Sequence, residues 1–241
     1  MAELANVLLL ALLPVLGNFV GATSTMFHTA SPRMVSHALH VAVGLVLAIV
    51  TIELVPRGLS AVETWQVGLA FGLGGFGYIA LMKTVTIIQN RANSDANART
   101  WMIYIAVGVD LFSDGLVIGA GAAVSPGLGL VLAFGQLLAD FPEGYAAFAN
   151  LKDKNVSRKT RLALSAALIL PATIATLISF LLLKGVAEWI QTSALVVVAG
   201  TLTIAAIEDM MGEAHESAQD QASSILSVIG GFVLFSLVTT G

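Results

Sequence analysis

Two short stretches place carboxylates among apolar residues. Val109-Asp110-Leu111-Phe112-Ser113-Asp114-Gly115 lies between the runs WMIYIAVG and LVIGAGAAV, and Leu138-Ala139-Asp140-Phe141-Pro142-Glu143-Gly144 follows soon after. Both read aromatic, small residue or proline, acid, glycine toward their ends. Asp110 and Asp114 are four apart and Asp140 and Glu143 three apart, so on a helix each pair shares one face. Gln136, one turn before Asp140, joins the second face. The chain has no Cys, so any metal site must use oxygen or imidazole. Carboxylate and amide oxygens arranged this way suit a divalent cation.

The elements that position these side chains follow from composition. Hydrophobic residues make up 57% of the 241 residues and charged residues 11%, with a mean hydropathy of +0.90, whereas a soluble domain carries about 25% charged residues. This is the composition of an integral membrane protein. Apolar stretches of about 20 residues, enough for a helix to cross the hydrocarbon core, predict eight transmembrane helices at roughly 4–25, 34–56, 65–88, 101–124, 127–150, 162–184, 192–212 and 221–240. The expected fold is all-α and polytopic, one transmembrane transporter domain over 1–241 with the lipid bilayer as its surroundings. MAELAN lacks a basic n-region, so the first segment is expected to be a retained helix rather than a signal sequence. The glycines Gly72, Gly74 and Gly77 match a dinucleotide fingerprint, but they lie inside the third span, where small residues serve close helix packing. No nucleic-acid partner is expected.

Lys and Arg set the orientation, because basic loops stay on the cytoplasmic side. Nine of the eleven, Arg33, Lys83, Arg91, Arg99, Lys152, Lys154, Arg158, Lys159 and Arg161, flank the loops after spans one, three and five; only Arg57 and Lys184 lie opposite. Both termini are therefore expected outside, in a plasma or inner membrane.

Span four enters near Trp101, which puts Asp110 and Asp114 about 13 and 20 Å along it, near the bilayer centre. Asp140 and Glu143 reach a similar depth in span five. The connection Ser125-Pro126-Gly127 makes the two spans antiparallel neighbours, so the four carboxylates can converge. Each charged acid at the centre costs about 2.5–3.5 kcal/mol, and no Lys or Arg lies near mid-depth in any span. Protons, a bound cation, or both must supply the neutralising charge. Protonated acids acting as hydrogen-bonding glue between helices are the structural alternative. Pro142 frees the Leu138 carbonyl, and Gly115 and Gly144 permit either close approach or a local helix break.

With these residues in view, the whole chain resembles the ZIP (Zrt/Irt-like protein) family of divalent metal transporters. The family's span four reads H-N-x-x-[DE]-G or similar and its span five [HQ]-[DE]-x-P-E-G; here the matching stretches run from Asp110 to Gly115 and from Ala139 to Gly144. The resemblance implies a ZIP-like helix bundle and a transport site, often binuclear, with Glu143 as bridging carboxylate and Asp114 and Asp140 as further ligands. It also implies alternating access, with spans one, four, five and six moving against a scaffold of spans two, three, seven and eight that forms a homodimer. Asp110 stands where the family usually has His, Leu111 replaces Asn, and Ala139 replaces His or Gln. A core without imidazole is harder, leaning toward Mn²⁺ or Fe²⁺, with Zn²⁺ and Cd²⁺ still able to bind carboxylates. The divalent metal is substrate, and no cofactor is expected.

Weaker candidates lie off the core. His37 and His40 start span two and could form an exit path or be ordinary interfacial residues. Glu208 and Asp209, still within the apolar run of span seven, are stronger exit-path candidates than Glu213 and His215 in the loop that follows, which a solvated acidic loop explains equally well. Glu53, near the outer end of span two, could attract cations on the side of approach. The competing class is an enzyme, an intramembrane aspartyl protease built on a shared-proton dyad; its dyad should come from two helices, whereas Asp110 and Asp114 lie on one. The metalloprotease motif H-E-x-x-H is absent. A metal-binding membrane sensor that does not transport is the third possibility.

Overall fold

The computed structural model describes residues 2–25, 27, 31–91, 96–153, 157–212 and 221–239, and among these there is no strand. Eleven α-helices follow one another: α1 (Ala2–Leu10), α2 (Leu12–Ser24), α3 (Pro32–Ala48), α4 (Val55–Ala61), α5 (Thr64–Arg91), α6 (Ala96–Val124), α7 (Pro126–Asp153), α8 (Arg158–Ala167), α9 (Ile169–Leu183), α10 (Glu188–Ala205) and α11 (Gln221–Thr239). Two wide π-helical segments, Ile49–Leu54 and Ala206–Met210, extend α3 and α10.

Among the described residues seven stretches are long and apolar enough to cross a membrane: Glu3–Ser24, Pro32–Ala61, Thr64–Ile87, Val107–Val124, Ser165–Leu183, Glu188–Glu208 and Ala222–Thr239. The fifth expected span corresponds to α7, which is 28 residues long but carries Gln136, Asp140 and Glu143 and is not among the seven. Polarity is inverted relative to a soluble protein. Leu69, Phe76, Leu182 and Leu237 are at least 66% exposed, while Asn18, Asp114, Gln136 and Asp140 are at most 2% exposed. Apolar side chains turned outward and polar ones turned inward are what a hydrocarbon solvent selects.

Local chemistry sets the helix ends. The Ser31 hydroxyl accepts from the Met34 N–H at 3.3 Å, with Pro32 opening α3, and the Ser157 hydroxyl accepts from the Thr160 N–H at 3.2 Å; both are N-caps. Gly185 ends α9 with a φ of 78°, the left-handed conformation that glycine adopts without strain. Pro56 lies inside the second span instead of ending it. The π-segment before it accounts for this: the Val55 N–H already bonds the Val50 carbonyl, five residues back, so the regular i−4 ladder that a proline would break is interrupted before Pro56.

The helices pack chiefly in pairs, α6 with α9, α2 with α7, α3 with α11 and α5 with α10; α7 also packs on α6 and α3, and α10 on α6 and α4. The four most extensive pairings each bring backbone against backbone at glycine: Gly17 and Gly144 between α2 and α7, Gly115 between α6 and α9, Gly44 and Gly231 between α3 and α11, and Gly74 and Gly200 between α5 and α10. Lipid tails are as apolar as the helices, so close van der Waals approach rather than hydrophobic burial holds such pairs together.

Gly74 and Gly72 offer a direct test. A Cβ at Gly74 would overlap the Val197 carbonyl, whereas one at Gly72 meets nothing within 4 Å. Gly74→Ala is therefore expected to destabilise the protein by about 1–3 kcal/mol through overpacking. Gly72→Ala should be neutral or stabilising by up to about 1 kcal/mol through helix propensity. Unfolding in detergent, followed by circular dichroism, measures both.

Candidate metal centre

Ser125 is the only residue between α6 and α7. Its N–H closes the end of α6 on the Gly121 carbonyl at 2.9 Å, and its hydroxyl accepts from the Leu128 N–H at 3.1 Å to open α7. A hairpin this tight sets the pairing of residues across it. Asp114 and Gln136 stand eleven residues either side of Ser125, and Asp110 and Asp140 fifteen. At about 1.5 Å per residue these levels lie roughly 16 and 22 Å from the turn. The Gln136 side-chain amide accordingly donates to Asp114 Oδ1.

One oxygen from each of Asp110, Asp114 and Asp140 lies within 4.8 Å of the others. Cation–oxygen bonds of about 2.0–2.6 Å separate opposite ligands by about 4–5 Å, so these three atoms span the coordination sphere of one ion. Asp114 and Asp140 come from the two helices of the hairpin, and carboxyl groups this close need a proton or a cation between them. Glu143, one turn on from Asp140, is not part of this group of three. Among the described residues no ion pair joins a basic side chain to any of the four acids.

The cluster has a closed end and an open end. Asp114, Gln136 and Asp140, toward Ser125, are at most 2% exposed, while Asp110 and Glu143 are half-buried. Three buried oxygens, Asp114 Oδ2, Gln136 Oε1 and Asp140 Oδ2, have no hydrogen-bond partner among the described residues. Buried polar atoms are rarely left this way without an ion or a proton to meet them. Pro142 lies inside an uninterrupted helix, so of the two roles open to the motif glycines the structure takes close approach: a Cβ at Gly115 would strike the Ala172 carbonyl, and one at Gly144 the backbone of Asn18.

The remaining candidates are placed elsewhere. The His40 ring is buried and bonds the Ser36 carbonyl through Nδ1 at 2.7 Å. His37 Nδ1 lies 3.0 Å from the Ser227 hydroxyl, tying α3 to α11. Neither joins the carboxylate group. Glu53 pairs with Arg57 at 3.1 Å, so its charge is already met by the cation one turn on. Glu208 is exposed in a groove beside Tyr78, Met82 and Lys83 of α5. Asp209 shares its π-segment, but its side chain, like Glu213 and His215 altogether, lies outside the described residues. Reading the sequence missed Asn18, which is 1% exposed with both amide atoms unpartnered among the described residues. Its signal was present: a lone amide within the apolar run LLPVLGNFVGA.

No family model matches the chain, and no curated protein is similar enough to count as a match.

Gln136→Leu should destabilise the metal-free protein by about 1–3 kcal/mol, because a buried Asp114 oxygen loses its donor. With a divalent cation present the loss should be larger, since an ion binding only the folded state stabilises the unaltered chain more than one lacking the Gln136 oxygen. Thermal unfolding with and without Mn²⁺ checks both parts; equal loss in the two conditions would place Gln136 outside any ion site.

Proposed function

We propose that this chain carries divalent transition-metal cations across a bilayer toward the cytoplasm, by alternating access to the carboxylate site on α6 and α7. The observation that carries this reading is the convergence of Asp110, Asp114 and Asp140 within 4.8 Å inside an apolar bundle, with no basic partner. A structural role would need only neutral acids. Three converging carboxyl groups, with buried oxygens of Asp114 and Asp140 unpartnered among the described residues, are costly unless a cation visits.

The resemblance to ZIP transporters agrees with this reading and supplies its details. In these terms α7 is the eighth crossing, its polar residues covered by α2, α3 and α6, and both termini lie outside by the distribution of basic residues. The half-buried Asp110 and Glu143 then face the cytoplasmic side, so the arrangement is inward-facing. The helix group containing the site is the moving part, and α3, α5, α10 and α11 form the scaffold of a homodimer. The absence of imidazole from the site favours Mn²⁺ or Fe²⁺, with Zn²⁺ and Cd²⁺ as further substrates.

A second reading draws on the proximity of Asp114 and Asp140, which, unlike Asp110 and Asp114, come from two helices as a protease dyad would. Burial of both to 2% or less and the use of Asp114 by Gln136 leave no room for a peptide, and Asp110 and Glu143 would have no part in the reaction.

Two measurements test the proposal. Liposomes containing the protein and a trapped metal indicator should take up Mn²⁺, and Glu143→Ala should abolish uptake while Glu53→Ala retains it; absence of flux for Mn²⁺, Fe²⁺, Zn²⁺ and Cd²⁺ under any proton gradient would sink the reading. Protons and cation compete for the same oxygens, so binding must release protons and affinity must weaken as pH falls. Between about pH 7.5 and about pH 5.5, approaching the carboxylate range from above, calorimetry in buffers of different ionisation enthalpy should record that release. It should persist when His37 and His40 are both changed to Gln.

A further inference from the structure

The first span also reaches the carboxylates. On α2, Val15 shares a small apolar cluster with Leu111 of α6, the residue next to Asp110. Gly21 meets the Phe141 carbonyl of α7, and the backbone of Asn18 meets Gly144, the residue after Glu143. At about 100° per residue, Asn18 projects midway between the directions of Val15 and Gly21. It therefore points into the seam between α6 and α7, at the level of Asp110 and Glu143. The Asn18 side chain is 1% exposed, and neither its Oδ1 nor its Nδ2 finds a hydrogen-bond partner among the described residues. A buried amide left unpartnered on both sides costs several kcal/mol in an apolar medium.

We propose that Asn18 is a further ligand of the transported cation, its side-chain carbonyl joining the Asp110 and Glu143 half of the site. This rests on the reading of the cluster as a cation site, and extends it from one hairpin to three helices. A neutral carbonyl adds a hard oxygen donor without adding a fifth negative charge to the bundle. It fills the coordination sphere of an oxygen-seeking ion such as Mn²⁺ while leaving the net charge to the four acids. Loading the site then ties α2 to α6 and α7 through the ion as well as through the glycine contacts.

The test is Mn²⁺ binding to the full-length protein in lipid nanodiscs, by calorimetry and by Mn²⁺ electron paramagnetic resonance. Asn18→Leu keeps the shape and removes the donor, and should weaken Mn²⁺ binding about 10- to 100-fold, as losses around metal sites do. Asn18→Asp restores an oxygen and should bind nearly as well as the unaltered chain. If Asn18→Leu does not fold, Asn18→Ser, which is smaller and unable to reach the ion, carries the same expectation. Unchanged affinity in Asn18→Leu or Asn18→Ser, beside an unaltered chain that binds Mn²⁺ and an Asp140→Asn variant that does not, would overturn this inference alone. An unaltered chain that binds no Mn²⁺, or an Asp140→Asn variant that binds it equally well, would instead overturn the cation site itself.

Discussion

Everything about this bundle turns on negative charge held where nothing nearby is positive. Asp110, Asp114 and Asp140 converge between two antiparallel helices with Glu143 one turn on, and among the described residues no basic side chain pairs with them. Such a cluster is tolerable only if its charge can be neutralised and its geometry held. Neutralisation falls to protons or a visiting ion. Geometry falls to the one-residue turn at Ser125, which sets the levels of the facing side chains before any packing is considered.

Packing then converts a hairpin into a site. Backbone contacts at Gly144 and Gly115 draw α2 and α9 against the outer flanks of the hairpin, leaving little space for water from those sides. The hairpin also meets the remaining helices, since α7 touches α3 and α6 touches α10. Any displacement of those helices against the hairpin must therefore pass beside the carboxylates. The apolar groove bordered by His37, Leu138, Phe141 and Pro142 runs along part of that seam.

The convergence of Asp110, Asp114 and Asp140 was legible in the sequence, for a simple energetic reason. An acid in an apolar span is costly enough to be conspicuous, and acids at helical spacing around a short turn are bound to meet. Helices were equally legible, because hydrophobic length reports them directly. Three features were not. Asn18 is uncharged and carries little cost until its burial is known. The pairing of Glu53 with Arg57 depends on rotamers that spacing alone leaves undetermined. The continuation of the second span through Pro56 depends on a π-segment, which leaves no mark on apolar periodicity. The tally of crossings is subject to the same physics from the opposite direction: the residues that make α7 interesting are those that lower its hydropathy below that of an ordinary span.

The π-segment at Ile49–Leu54 also bears on how this chain could tolerate insertions and deletions. A π-turn holds one residue more than an α-turn, so losing a residue there could be absorbed by reverting to ordinary helix, with the following residues still facing the same way. The hairpin has no such slack. A single deletion between Asp110 and Asp114 would change their spacing from four to three and shift Asp110 against Asp140 across Ser125, uncoupling the two levels on which the cluster is built. Length variation should accordingly gather at Ile49–Leu54 and Ala206–Met210, where the wide turns lie, and be nearly forbidden between Asp110 and Glu143.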